Sequence, residues 1–485
     1  MKLHPSFQRG VFAMCAALLV ALLGSWVLGW SYAPLLVAER IMEATPAEWA
    51  VPLLQLLGVW AKPWAVAGGV ACLVACGGIG GVVRAQFTNR SIAALVPALM
   101  LVMWLLMTRA EPMAFIPALL YGLLIFRSRT QREPSPQMSM AMASRREFLQ
   151  RSLQSALAVG ALAALSGLPL AWRTLNDRAA RTLFAFQPEP PRSDDFAAIA
   201  QLPPEVTPIE QFYVMSKTAQ DPDIWRETWQ LRIGGHVQRP LALTWSDLFA
   251  FSRASQYATL ECVSNPVGGA LMSNGFWSGV RLRELLGMAQ VKAGAQTVVF
   301  HARDAFADSI PIESAQMPET LIAYALNGEL LNIAHGAPAR LIVPDRYGFK
   351  NVKWVDAIEV LDVPYQGRWQ TLGWSNDALV KTTARIDRLK RYGASWLVVG
   401  VAFAGARGIS RVQVRADDGA WLDAQLHVPP LSPLTWLQWR VVADFSSAKQ
   451  VSARAWDGSG RPQIETPASA FPDGASGLHV VEAGD

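Results

Sequence analysis

Thr259-Leu260-Glu261-Cys262-Val263-Ser264-Asn265-Pro266 reads as the end of a strand that hands one cysteine to a loop, followed at once by Gly268-Gly269. A thiolate is a soft, charged donor suited to a transition metal, and a loop at a strand end lets a bulky group approach the backbone. Read alone, Cys262 is more often a small apolar packing residue than a ligand. The other cysteines, Cys15, Cys72 and Cys76, lie in apolar segments, so Cys262 is the single thiol of the polar part of the chain. In an exported domain such an unpaired thiol calls for an explanation.

Working outward from this stretch, the chain divides. Its 485 residues are 52% hydrophobic and 17% charged, too apolar for an ordinary soluble protein and too polar for a wholly membrane-embedded one. The apolar surplus lies before about Trp172, and the remainder alternates polar and apolar residues. The net charge of +5 is modest and the arginines gather at segment boundaries, with no basic stripe interleaved with aromatics, which excludes nucleic acid as a partner.

Residues 11–33, 64–83, 92–107 and 112–126 are expected to be membrane-spanning helices, the last two near the short limit. Lys2 and Arg9, then Arg84 and Arg90, then Arg127, Arg129, Arg132, Arg145 and Arg146 place the flanking loops on the cytoplasmic side. Ser144-Arg145-Arg146-Glu147-Phe148-Leu149-Gln150 precedes the apolar run 153–172 and resembles a twin-arginine export signal, although it is internal. Ordinary positive-inside charge before a fifth helix is the other reading. Both put everything after Trp172 outside the membrane. Such a route carries folded proteins, which suits a cofactor inserted in the cytoplasm. Cys72 and Cys76 on the second span, together with Gly77, Gly78, Gly80 and Gly81, are expected to serve close helix packing.

Beyond a Pro- and Asp-containing linker at about 188–204, Trp229, Leu231 and Ile233 alternate before Gly234-Gly235 as a strand should. Ser246 and Asp247 are expected to open a helix through Phe251, and residues 282–288 a second one. Strands are expected at 297–300 and 340–343, which makes this an α+β domain. From about Ser395, short alternating runs separated by Asp418-Gly419 and Asp457-Gly458 predict an all-β sandwich.

Several further motifs follow Cys262 and Asn265 in order. They are Trp277 with Gly279, Leu282, Leu285 and Leu286; Asp304 with Ser309-Ile310-Pro311; His335-Gly336-Ala337-Pro338-Ala339-Arg340; and Phe349 through Lys353-Trp354. In that order they resemble the sulfite oxidase family, from about Gln211 to Pro467. The resemblance implies a multi-domain chain: an N-terminal α-helical transmembrane region, an α+β sulfite-oxidase-type molybdopterin domain and a C-terminal immunoglobulin-like β-sandwich. The expected boundaries are 1–130 for four membrane helices, 131–187 for the linker, twin-arginine-like motif and fifth helix, 188–375 for the molybdopterin domain and 376–485 for the sandwich. It also implies a molybdenum–molybdopterin cofactor with Cys262 as metal ligand and catalytic centre. Tyr213, Ser216, Lys217, Asn265, Asp304, His335, Arg340, Asn351, Val352 and Lys353 would surround the pterin. The chemistry agrees, since His335 can donate a hydrogen bond, Arg340 offers a planar fork to phosphate oxygens and Lys353 a point charge.

Departures from the family narrow the substrate. Met215 stands before Ser216-Lys217 where sulfite oxidases carry arginine, and Pro266 and Val267 also occupy arginine positions. Trp374 is the nearest counterpart of their metal-side tyrosine. A sulfite dianion needs those cations, so two-electron oxygen-atom transfer to or from another small sulfur or nitrogen compound is expected. A periplasmic S-oxide or N-oxide reductase, for instance one acting on methionine sulfoxide, is the alternative, and a non-catalytic partner-binding module is the alternative of another class. His4 alone cannot supply paired axial ligands in the membrane part, so no haem is expected in this chain. Electrons would then pass through a separate cytochrome or quinone-linked protein at the membrane. Whether two sandwiches pair as a homodimer stays open.

Overall fold

The structure is a computed structural model that describes residues 202–483 apart from 219, 220, 394 and 447, the helix at 61–86, and shorter stretches before residue 200. The chain forms two compact units, Met1–Ala179 with Lys217–Gln220, and Ala180–Ser216 with Asp221–Asp485. In the first unit, helix α1 (Ala61–Gln86, 26 residues) covers the second expected span. Among the described residues no helix is both long and apolar enough to cross a membrane. The third and fourth expected spans, the paired arginines and the run 153–172 lie outside the described residues.

The second unit is built on sheets. Strand β1 (Gln230–Gly235) alternates as expected, with Leu231 and Ile233 fully buried and Gln230 and Arg232 outward. It pairs antiparallel with β2 (Leu241–Thr244) and parallel with β10 (Val355–Leu361). Completed by β5 (Thr297–Ala302) and β6 (Ala307–Pro311), the sheet runs β2-β1-β10-β5-β6. A second sheet orders β3 (Ala254–Glu261), β4 (Met272–Arg281), β7 (Leu321–Leu326) and β8 (Glu329–Leu330), with β9 (Arg340–Ile342) also paired to β7.

Helix α2 is shorter than expected and begins elsewhere, at Trp245–Leu248. The cap is Thr244, whose hydroxyl accepts from the Asp247 amide while the Asp247 carboxylate accepts from the Thr244 amide at 2.7 Å. This reciprocal box fixes the start one residue early and places Asp247 in the first turn. Helix α3 (Leu282–Ala289) buries Leu282, Leu285, Leu286 and Ala289, the spacing of one helical face. It stops at Gln290, which is left-handed at φ 55°. The buried faces of β1, β5, β10 and α3 meet in one core with Val298, Phe300 and Ile358.

Residues from 383 onward form two four-stranded antiparallel sheets. One is ordered β11 (Thr383–Tyr392), β12 (Ser395–Phe403), β16 (Leu437–Ala443) and β15 (Gln425–Leu426). The other is ordered β14 (Leu422–Asp423), β13 (Ile409–Ala416), β17 (Gln450–Asp457) and β18 (His479–Glu482). They share a core of Ala384, Val398, Val412, Val414, Trp439, Val451 and Ala453. Strand β3 would be an open sheet edge, with donors and acceptors unpaired. The segment before β16 covers it: the Thr259 amide donates to Leu434 O at 3.0 Å and the Trp436 amide to Thr259 Oγ1 at 2.9 Å. The strand that leads to Cys262 is therefore held on both sides.

Candidate active site

Cys262 follows the last residue of β3, and its amide donates to Leu271 O at 2.9 Å, just before β4 begins. The sulfur is buried, yet its surroundings are polar. Ser264 Oγ lies 3.0 Å from Sγ. The Glu261 carboxyl accepts from Asn265 Nδ2 at 2.9 Å through Oε1, while Oε2 is buried with no partner. Burial pushes the Cys262 thiol up, opposed by its hydrogen bonds to Ser264. Burial also raises Glu261 to about 7, against the pull of Asn265 and Arg385. Asn265 braces the loop a second time, because its Oδ1 accepts from the Leu271 amide at 3.0 Å.

A cationic cluster forms the other end. Arg340, 6% exposed, donates from Nη1 to His335 O and from Nη2 to Asn351 O, both at 3.0 Å, and stacks 5.1 Å from the Trp277 ring. Its Nε is buried without an acceptor, and among the described residues no carboxylate pairs with it. His335 shares a bond of 3.1 Å between Nε2 and Ile209 O. Burial lowers its pKa to about 4, with Arg340 and Lys353 adding to the effect, so the ring is neutral near pH 7 and Nε2 is the donor. Lys353 donates to Ser216 Oγ at 2.7 Å and Ala334 O at 3.0 Å.

Tyr213 joins the two ends. Burial, then the Cys262 thiol, raise its phenol well above the usual range, and Arg340 opposes them, so the hydroxyl feels both clusters. Gly348 permits this approach. A Cβ there would stand 2.5 Å from the Tyr213 hydroxyl and 3.7 Å from the Cys262 Cα. A guanidinium kept out of water with a free donor and no counter-charge is costly. An anionic group bearing oxygens would complete it, and a soft metal suits the sulfur beyond Tyr213. The residues present therefore fit a phosphate-bearing metal cofactor.

The remaining expected residues fall variously. Asn351 is buried, accepting from the Val343 amide at 2.7 Å, and Val352 lies in the main core with its carbonyl bonded to the Leu341 amide. The Asp304 carboxylate accepts from Phe306 within its own turn, and the buried carboxylate of this region is Asp308. Asp308 takes a 2.7 Å bond from Lys350, and Gln370 donates to its other oxygen at 3.3 Å. Lys217 is half-buried and belongs to the first unit. Trp374 is buried edge-on to Phe471 at 5.3 Å. Sequence reasoning missed Glu261, Ser264 and the Asp308–Lys350 pair. Glu261 and Ser264 adjoin the cysteine and could have been found there; the pair spans 42 residues and left no local signal.

Residues 218–369 match the family model described as "Oxidoreductase molybdopterin binding domain". That defines the class: a molybdopterin-binding oxidoreductase. The chain is 26% identical over 352 residues to the sulfite oxidase of Arabidopsis thaliana, covering 59% of this chain and 88% of that protein. It is 32% identical over 146 residues to an uncharacterized oxidoreductase, YuiH, of Bacillus subtilis, covering 30% and 72%. An NADH nitrate reductase of Volvox carteri is 28% identical over 323 residues, of which this chain spans 37% of the length. The fold is similar to that of the sulfane dehydrogenase SoxCD of Paracoccus pantotrophus, with TM-score 0.51 and 21% identity over 60% of this chain and 87% of that one. The chain belongs to the sulfite oxidase superfamily of molybdopterin oxidoreductases. It is a molybdenum oxidoreductase, and its cofactor is molybdenum–molybdopterin.

Proposed function

We propose that Cys262 is the protein's ligand to molybdenum and that His335, Arg340 and Lys353, with Ser216 and Tyr213 beside them, hold the pterin end. The observation that carries this is Arg340, a buried guanidinium with an open donor and no carboxylate partner among the described residues, placed across Tyr213 from the only thiol of the second unit. Once bound, the cofactor supplies two-electron oxygen-atom exchange. The chain's own groups fix the sulfur through Ser264 and Asn265, keep His335 neutral as a donor, and shut water away from the Arg340 face. Tyr213, Asn351 and Val352 complete the cradle.

The substrate on this reading is an uncharged sulfur or nitrogen compound, or its oxide. Lys350 is committed to Asp308, and Arg385 to Gly269 O and Asp387. Val214 and Met215, 43% and 38% exposed, lie on the segment between Tyr213 and Ser216 and present apolar surface there. These features suit a neutral molecule better than a sulfite dianion. The apolar stretches of the first 172 residues and their flanking arginines support an anchor in the cytoplasmic membrane with the catalytic part outside it. The two sheets after residue 383 with their common core support an immunoglobulin-like sandwich, and a separate one-electron carrier would exchange electrons with the site.

Metal and pterin analysis of the full chain from molybdate-fed cells, wild type against Cys262→Ser, tests the ligand. The variant is expected to keep pterin and to change the Mo(V) paramagnetic resonance spectrum; an unchanged spectrum would remove Cys262 from the metal. Reduction of a dialkyl sulfoxide by viologen dye, set against oxidation of sulfite with an acceptor dye, tests the substrate. Turnover of sulfite alone would overturn the neutral-substrate reading.

A further inference from the structure

The loop carrying Cys262 is braced from within by the bonds already described, to which the Asn265 amide adds one to Cys262 O at 3.0 Å and the Gly269 amide one to Pro266 O at 2.9 Å. These bonds tie the loop to itself and to its own strands. Its outer half, around Gly268 and Gly269, is met by two side chains of the C-terminal sheets. Arg385 on β11 donates from Nη1 to Gly269 O at 2.9 Å. Its Nε lies 2.8 Å from Asp387 Oδ1, an ion pair that places a counter-charge beside the buried guanidinium. From β18, His479 accepts the Ile386 amide at Nδ1 at 2.9 Å, so a neutral ring carries its proton on Nε2. That edge lies against Gly268, where a Cβ would stand 2.1 Å from Nε2. Gly268 is also left-handed at φ +76°, so only glycine fits both the turn and the ring.

Arg385 is almost wholly buried, and the Gly269 bond is made 116 residues away across the two halves of the unit. A buried arginine that is paired with a carboxylate and whose Nη1 holds one carbonyl of the cysteine loop does more than fill space. We propose that Arg385 is a positioning residue for the metal ligand: through Gly269 it fixes the loop that presents Cys262, with His479 pressing on the same loop at Gly268. The proposal rests on the reading of Cys262 as ligand. It gives the C-terminal sheets a direct part in the geometry of the redox site.

The test uses the full-length, cofactor-loaded protein. In Arg385→Met, amide hydrogen exchange at Cys262 and Leu271 is expected to quicken by about tenfold, the effect of losing roughly one hydrogen bond. Val280 on β4 should be unmoved, and the Mo(V) resonance should shift. Arg385→Lys, which keeps the charge and a donor, should restore both readouts toward wild type. If Arg385→Met does not accumulate as folded protein, His479→Ala carries the same test with Arg385 left in place. Loop exchange at the wild-type rate, or a faster loop with an unmoved spectrum, would overturn the proposal. An unmoved spectrum in Cys262→Ser condemns the ligand reading instead, so the two failures are distinguishable.

Discussion

Replacing Arg340 by methionine should have opposite consequences in the empty and the loaded protein. In the empty protein the substitution deletes a buried cation that has no carboxylate partner among the described residues, relieving a desolvation cost of several kcal/mol. It also strips the donors from His335 O and Asn351 O, at ~1–3 kcal/mol each if no water replaces them. Methionine fills much of the same volume, so these effects offset and cofactor-free stability should change by less than about 2 kcal/mol. In the loaded protein the buried charge-assisted bonds to an anionic group are lost, ~3 kcal/mol or roughly 100-fold in cofactor retention. At ~2 °C per kcal/mol, about 6 °C of cofactor-dependent stabilisation should disappear. The assay is thermal unfolding with and without cofactor, paired with molybdenum and pterin content after exhaustive dialysis. Full metal content and an undiminished cofactor-dependent gain in melting temperature would refute the assignment of Arg340 to the cofactor.

Ser264→Ala removes the hydroxyl 3.0 Å from the Cys262 sulfur, leaving a thiolate that donates more strongly to the metal. The one-electron potential of the loaded enzyme should fall by ~30–60 mV, up to tenfold in the equilibrium, in a titration followed by Mo(V) resonance, and a rise would contradict the reasoning. Lys350→Met leaves the Asp308 carboxylate buried without its cation and should cost ~3–5 kcal/mol in denaturant unfolding; adding Asp308→Leu should recover part of it. His335 has a folded pKa of about 4 against an ordinary 6.5, so between those values the unfolded chain binds more protons. Its contribution to the stability of the cofactor-free protein is therefore complete above about pH 6.5. It is lost as the pH falls toward 4, by at most ~3 kcal/mol, and His335→Gln should flatten that part of the stability profile.

Local chemistry was readable in the sequence wherever a single element decides its own shape. The alternation of β1, the buried face of α3 and the strand that ends at Cys262 all follow from periodicity, and the structure forms them. Helix α2 was misread because Thr244 closes a strand and a capping box at once, and only the reciprocal bonds to Asp247 show which side of the boundary it serves. Motif order placed His335, Arg340 and Lys353 in one neighbourhood, and the bonds from Arg340 to His335 O and Asn351 O agree. The family resemblance set Ser216 and Lys353 around the pterin, but their pairing across 137 residues left no signal in the sequence. Asp304 was named from its motif, whereas the burial of Asp308 is a property of its β6 sheet position and left no mark on the neighbouring residues. Arg385 carried no signal in the sequence, because its Gly269 partner lies 116 residues away and leaves no periodic trace.

If Cys262 is the single protein ligand, as proposed, the site cannot derive its affinity from that bond alone. Structural metal sites with several thiolates hold the ion by coordination. On the proposed reading the stronger grip lies at the far end, where the buried Arg340 guanidinium and Lys353 stand by the neutral His335 imidazole. It follows that the two ends should fail differently. Cys262→Ser should alter the metal's spectrum while the pterin stays, whereas Arg340→Met should release metal and pterin together although the sulfur is untouched. The same division explains why the sulfur end is built from short bonds to Ser264, Asn265 and, through Gly269, Arg385. Freed from the work of retention, that end can be specialised for holding one atom in one place.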